Sequence, residues 1–141
     1  MGVLDNSPYG LPITLQFIAA NLSTGAGTVD MTFGQGGTGF KVPTGYVFHP
    51  QVLFLTKTGT LDANATVIAK VIYDGTELVS GPQGQLDQAD TDTHDTGIQR
   101  VGPQPAAAGV VVGVSLTKDA DYSTTGTIDY DAVLVGLLLP A

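Results

Sequence analysis

The chain has no cysteine and no tryptophan, two histidines, and only five Lys+Arg against thirteen Asp+Glu. Each shortage removes a class of function. Without cysteine there is no disulfide framework and no thiolate metal site. With a formal net charge of -8, the counterion release that drives binding to phosphate backbones has no source, so nucleic acid is not an expected partner. Anionic membrane surfaces are disfavoured for the same reason. The longest apolar stretch, Ala132 to Pro140, falls far short of the ~20 residues a membrane helix needs. Met1-Gly2-Val3-Leu4-Asp5 has neither a basic region nor a long apolar run and does not read as a signal peptide. N-myristoylation would ask for Ser or Thr where Asn6 stands. The expectation is a soluble protein. Charged residues make up 13% of the chain, about half the usual ~25%, so part of the surface is expected to be covered by other protein.

What is plentiful is glycine, at 19 residues, and apolar side chains spaced two apart. Ile13, Leu15, Phe17 and Ala19 share one face of an extended segment, with Thr14 and Gln16 on the other. Val29, Met31 and Phe33 alternate with Asp30 and Thr32. Gln51 to Thr58 is apolar on both faces at Val52, Leu53, Phe54 and Leu55, which suits a central or interfacial strand. Val67, Ala69, Val71 and Tyr73 form a further face, as do Val110, Val112, Val114 and Leu116. The last segment sets Ile128, Tyr130 and Ala132 against Asp129 and Asp131, then turns apolar on both faces from Val133 to Leu139. Turn signals separate these runs at Gly25-Ala26-Gly27, Gly34 to Gly39, Thr58-Gly59, Asp74-Gly75, Gly81-Pro82 and Thr125-Gly126. No stretch shows a 3.6-residue apolar stripe, so the pattern predicts an all-β protein. The expected fold is an antiparallel, jelly-roll-like β-sandwich of about seven or eight strands in one domain, residues 13–141.

Residues 1–12 stand apart. Pro8, Gly10 and Pro12 deny this segment a helix, and it shows no period-2 pattern, so it reads as an extended N-terminal arm. Apolar side chains on an arm need a surface to lie on. Val3, Leu4, Pro8, Tyr9, Leu11 and Pro12 are therefore candidate partner-binding residues. The two-faced run makes Val133, Val135, Leu137 and Leu139 candidates for an oligomer interface. Gln83 to Pro105 is polar and reads as one long surface loop, with room for short strands near Leu86 and Ile98–Val101.

Chemistry is harder to find. Asp90-Thr91-Asp92-Thr93-His94-Asp95 spaces its acids like the start of a calcium loop, but Asp95 stands where the EF-hand needs Gly and Val101 where it needs Glu. Pro43-Thr44-Gly45-Tyr46-Val47-Phe48-His49 is similar to the second cupin motif with one residue too many, and no His-x-His accompanies it. His49 and His94 alone cannot supply three nitrogens to a metal. Gly34-Gln35-Gly36-Gly37-Thr38-Gly39 lacks the Lys-Ser/Thr pair of a phosphate loop and reads as an inter-strand turn. No Gly-x-Ser-x-Gly occurs, and Glu77, the sole glutamate, sits just past the Asp74-Gly75 turn. The expectation is no catalytic residue, no cofactor and no obligatory metal.

A short Pro-containing apolar arm precedes an acidic β-sandwich in which Val42-Pro43-Thr44-Gly45-Tyr46 enters a central strand. The chain closes on Val135-Gly136-Leu137-Leu138-Leu139-Pro140. In this order of parts it resembles the head decoration (cement) proteins of tailed bacteriophages. That resemblance implies a virion protein made in the host cytoplasm that binds the major capsid protein on the capsid exterior and stabilises it across subunit junctions. It implies a homo-oligomer, a trimer in preference to a dimer, and no catalysis. The rival expectation is a glycan- or receptor-binding β-sandwich module, such as a fibre or tip domain. Such a module needs aromatics presented to solvent, and here most alternate inward.

Overall fold

A computed structural model of the protein describes residues 10–20, 25–61, 67–77, 85–88, 94–100, 105–118 and 124–141. Its strands are β1 (Leu11–Ala20), β2 (Gly27–Asp30), β3 (Thr32–Phe33), β4 (Phe40–Lys41), β5 (Tyr46–Leu61), β6 (Val67–Tyr73), β7 (Thr76–Glu77), β8 (Gln85–Gln88), β9 (His94–Arg100), β10 (Val111–Lys118) and β11 (Thr124–Pro140). Among the described residues there is no helix. The strands form two antiparallel sheets. One runs β3-β1-β11-β5-β9; the other runs β2-β10-β6-β7, with β4 also on β10 and β8 on β6.

The period-2 faces read from the sequence become the inner faces of these sheets. Leu15 and Phe17, Leu53 and Leu55, and Tyr130 and Leu134 come from the first sheet; Ala69 and Val71, and Val112, Val114 and Leu116, come from the second. Each of the larger of these side chains contributes roughly 1.5–3 kcal/mol at full burial, which is what holds the layers together. Four phenylalanines link them. Ring centroids lie 5.4 Å apart for Phe17–Phe33, 6.4 Å for Phe33–Phe40 and 6.2 Å for Phe40–Phe48. Phe40 sits on a strand of the second sheet and the other three on the first, so the row crosses the core.

The turn signals at Thr58-Gly59 and Thr125-Gly126 are not turns but lie inside β5 and β11, with a register shift between Thr125 and Asp129. Three further features depart from the sequence pattern. The run Val29–Phe33 reads as one strand but is two: β2 pairs with β10 in one sheet and β3 with β1 in the other. The chain changes sheets at Met31, which is fully buried and donates its N–H to the Val114 carbonyl at 2.8 Å. The Gln83–Pro105 region is not simply a loop, since β8 pairs with β6 and β9 with β5. These are the short strands expected near Leu86 and Ile98, with β9 starting earlier at His94; their pairing uses main-chain groups, so the polar composition of the region does not prevent it. The third departure is the arm boundary. Leu11 and Pro12 already belong to β1, opposite Leu138 and Leu137.

Pro12 is tolerated in β1 for a specific reason. Gly34 donates to the Gln16 carbonyl on the β3 side of β1, at 2.8 Å. The main-chain groups of one residue in an antiparallel strand point the same way and alternate along it, so Thr14 and Pro12 also turn away from β11. The N–H that Pro12 lacks is one β11 does not need, which is the setting in which sheets accept proline.

Pro50 is accommodated differently. The β5–β11 register shifts between Val135 and Gly136, so that Gly136 faces Pro50 across a bulge. A methyl group on Gly136 would meet the Phe48 ring and sit 2.5 Å from the His49 carbonyl oxygen. Gly136→Ala is expected to cost about 1–3 kcal/mol through this overpacking, read as a lower denaturation midpoint at unchanged m-value. The Asp74-Gly75 turn closes the β6–β7 hairpin with φ of 52° and 79°, the two positive angles of a type I′ turn. The Asp74 carboxylate accepts the Val111 N–H at 2.8 Å, and its own N–H donates to the Val111 carbonyl, pinning the turn to β10.

Candidate interaction surface

The outer face of the first sheet is where the oligomer candidates fall. β11 alternates strictly: Ile128, Tyr130, Ala132, Leu134 and Leu138 are buried under the second sheet. The intervening residues point outward, and their chemistry changes halfway along the strand. Asp129 and Asp131 are exposed; Val133, Val135, Leu137 and Leu139 follow on the same face and are half-buried. Neighbouring strands continue the apolar half. Val133 stands opposite Phe54, Val135 opposite Val52 and Leu139 opposite Val47, all half-buried. His49 faces Leu137. On the β1 side the lateral neighbours Pro12, Thr14 and Gln16 are exposed. An antiparallel sheet with one solvated face ordinarily carries polar residues outward, as β11 does at its start. The second half of β11 is dressed instead as a strand covered on both sides.

A second feature adjoins this face. β3 covers β1 only at Phe17 and Ile18, with Gly34 bonded at Gln16. Among the described residues no strand pairs with Leu11–Leu15 on the side away from β11. Beside that stretch lies a cleft of about 520 Å³ whose apolar wall is made by Ile13, Leu15, Phe33, Phe40, Pro43 and Leu138. Thr14, Gln16, Gly34 and Gln35 complete it, so among the described residues no charged side chain lines it.

The remaining candidates are dispersed. Val3, Leu4, Pro8 and Tyr9 lie outside the described residues, as do Asp90 and Asp92. His94 and Asp95 belong to β9, in register with Thr58 and Lys57. Since His49 and His94 attach to β5 nine residues apart, roughly 30 Å of strand separates them, and they do not converge. Among the described residues no three His, Asp or Glu side chains gather in a way that could hold a metal ion. The Gly34–Gly39 run is the connection between β3 and β4, closed by Gly36 N–H to the Phe33 carbonyl and Phe33 N–H to the Gly37 carbonyl. Phe17, Phe33, Phe48 and Tyr130 are buried, which removes them as a platform for stacking on sugars. The sequence pattern missed the cleft, because Phe40 and Pro43 approach β1 only through the sheet-to-sheet crossing.

No protein-family model and no curated protein matches the chain. A solved structure does. A chain of the Cyanophage Pam1 capsid asymmetric unit is similar over 99% of this chain and 93% of its own, with a TM-score of 0.54 and 15% sequence identity. At that identity the likeness is one of fold.

Proposed function

We propose that this protein is a virion structural component that binds the major capsid protein on the outside of a phage shell and stabilises it across subunit junctions. It does so as a homo-oligomer, a trimer in preference to a dimer, assembled through the apolar half of the outer sheet face. The change along β11 from Asp129 and Asp131 to Val133, Val135, Leu137 and Leu139 on one outward face carries the reading. A row of such side chains beside Val47, Val52 and Phe54 makes a contiguous apolar patch of the kind that marks a protein–protein contact. Two rigid sheets, a low surface charge and an N-terminal segment able to reach a neighbouring subunit suit a cementing role. The fold shared with a chain of a phage capsid assembly supports the same reading. Nothing in the described residues favours a reaction.

The test is co-sedimentation with intact shells assembled from the cognate major capsid protein. The protein is expected to pellet at a fixed ratio to capsid subunits and to raise the temperature at which shells break. Recovery in the supernatant with no change in shell stability would sink the proposal.

A further inference from the structure

We propose that the open edge of β1 receives the N-terminal segment of a second copy of this chain, which adds a strand to the first sheet over the apolar cleft. This inference rests on the oligomeric reading above and names where and how neighbouring copies engage.

Three observations carry it. The first is the edge itself. On the side away from β11, β1 presents the Thr14 N–H and the carbonyls of Pro12 and Thr14, with no strand beside them among the described residues. Such an edge takes an extended segment through main-chain bonds, while an adjacent pocket takes alternate side chains. The second is the cleft. Ile13, Leu15, Phe33 and Phe40 line a cavity of about 520 Å³ with no charged side chain among the described residues, in a protein of net charge -8, so its occupant is apolar there. Residues 1–9 supply such a segment. In an extended conformation Leu4 falls on one face and Val3 and Asp5 on the other, so a register that sends Leu4 into the cleft leaves Asp5 in solvent. The third is the entry point. Gly10 has φ of 84°, and a side chain there would lie 2.7 Å from a Leu139 methyl, so the residue at which the segment joins β1 is packed against the end of β11.

Hydrogen-bond direction disfavours a tight hairpin with the chain's own segment. A two-residue turn at Tyr9-Gly10 would close a hairpin on Pro8 and Leu11, and a closing pair of this kind exchanges both N–H···O=C bonds. Leu11 directs its main-chain groups toward β11, and Pro8 has no N–H. Moving the closing pair to Pro12 loses one of its two bonds, because Pro12 accepts at its carbonyl but has no N–H. A strand arriving from a second copy needs no turn at this point and can centre its bonds on Thr14. Head-to-tail exchange of this kind closes into a ring when the rotation allows, as in a trimer.

The chain has no cysteine, which makes the experiment clean. Thr14→Cys is combined in the full chain with Gly2→Cys, Val3→Cys, Leu4→Cys or Asp5→Cys in turn, oxidised at micromolar concentration, and run on a non-reducing gel. At least one pair is expected to give covalently joined chains up to the size of the oligomer. In parallel, deleting residues 2–9 is expected to speed amide exchange at Thr14 at least tenfold. An oligomer by light scattering that yields only intrachain links, or none, with Thr14 exchange unmoved by the deletion, overturns the strand exchange and leaves the oligomer standing. A clean monomer overturns both.

Discussion

Replacing Leu137 with aspartate is expected to turn the oligomer into a monomer while leaving the fold in place. Leu137 points outward from β11, half-buried between Pro12 on one side and His49 on the other, and contributes nothing to the packing between the sheets. In the monomer its replacement meets water. In the assembly it places an unpaired carboxylate against apolar side chains, at a cost of several kcal/mol, on the order of a hundredfold or more in association. Size-exclusion chromatography with light scattering reads the first effect, and thermal unfolding of the monomer reads the second, with a shift of no more than a few degrees. If Leu137→Asp left the oligomer intact, the apolar half of β11 would not be the interface. A collapse of the fold would place Leu137 in a core that the sheet geometry assigns to Leu134 and Leu138 instead.

Phe48→Ala is expected to be the most damaging substitution for the isolated domain. Phe48 is fully buried and stands in the row of rings that crosses the core, 6.2 Å from Phe40. Truncation leaves a cavity bounded by rigid strands, and such losses run to about 3–5 kcal/mol. For a chain of this length that corresponds to a fall in Tm of roughly 6–20 °C by calorimetry. Its two main-chain bonds to Ala106, at 2.9 and 2.8 Å, survive, so the damage isolates side-chain packing. A double-mutant cycle adds a sharper check. Gly136→Ala places its methyl against the Phe48 ring, so its cost should shrink once that ring is gone, though the His49 carbonyl at 2.5 Å keeps it above zero. Strict additivity would mean that the ring is not what excludes a side chain at position 136.

The strands β1, β5, β6, β10 and β11 were legible in the sequence, because alternation is a local property of the chain and each inner face is written in adjacent residues. So were the Asp74-Gly75 turn, fixed by two residues that tolerate positive φ, and the two-faced character of Val133–Leu139. What the sequence left open was which strands pair. β8 and β9 fall where short strands are expected, near Leu86 and Ile98, but their pairing with β6 and β5 runs through backbone bonds, which leave no mark on side-chain chemistry. Lys57 shows the same limit from the other side. The period of β5 puts it inward behind Leu53 and Leu55, fully buried, in register with Tyr130 and Asp95, and no local pattern distinguishes that lysine from a solvated one.

By itself, then, the sequence determined the class of the protein: all-β, acidic, without the cysteines a disulfide core requires, and with one strand too apolar for a solvated face. Tertiary structure alone decided that Val29–Phe33 divides between two sheets, that among the described residues no strand pairs with Leu11–Leu15 on the side away from β11, and that Phe33, Phe40 and Pro43 meet there to form a cleft. The physical reason is the range of the interactions. Alternation and turn chemistry act within a few residues, whereas an edge exists only by virtue of the strand that is not beside it, and which strands lie side by side is settled by packing the whole chain at once.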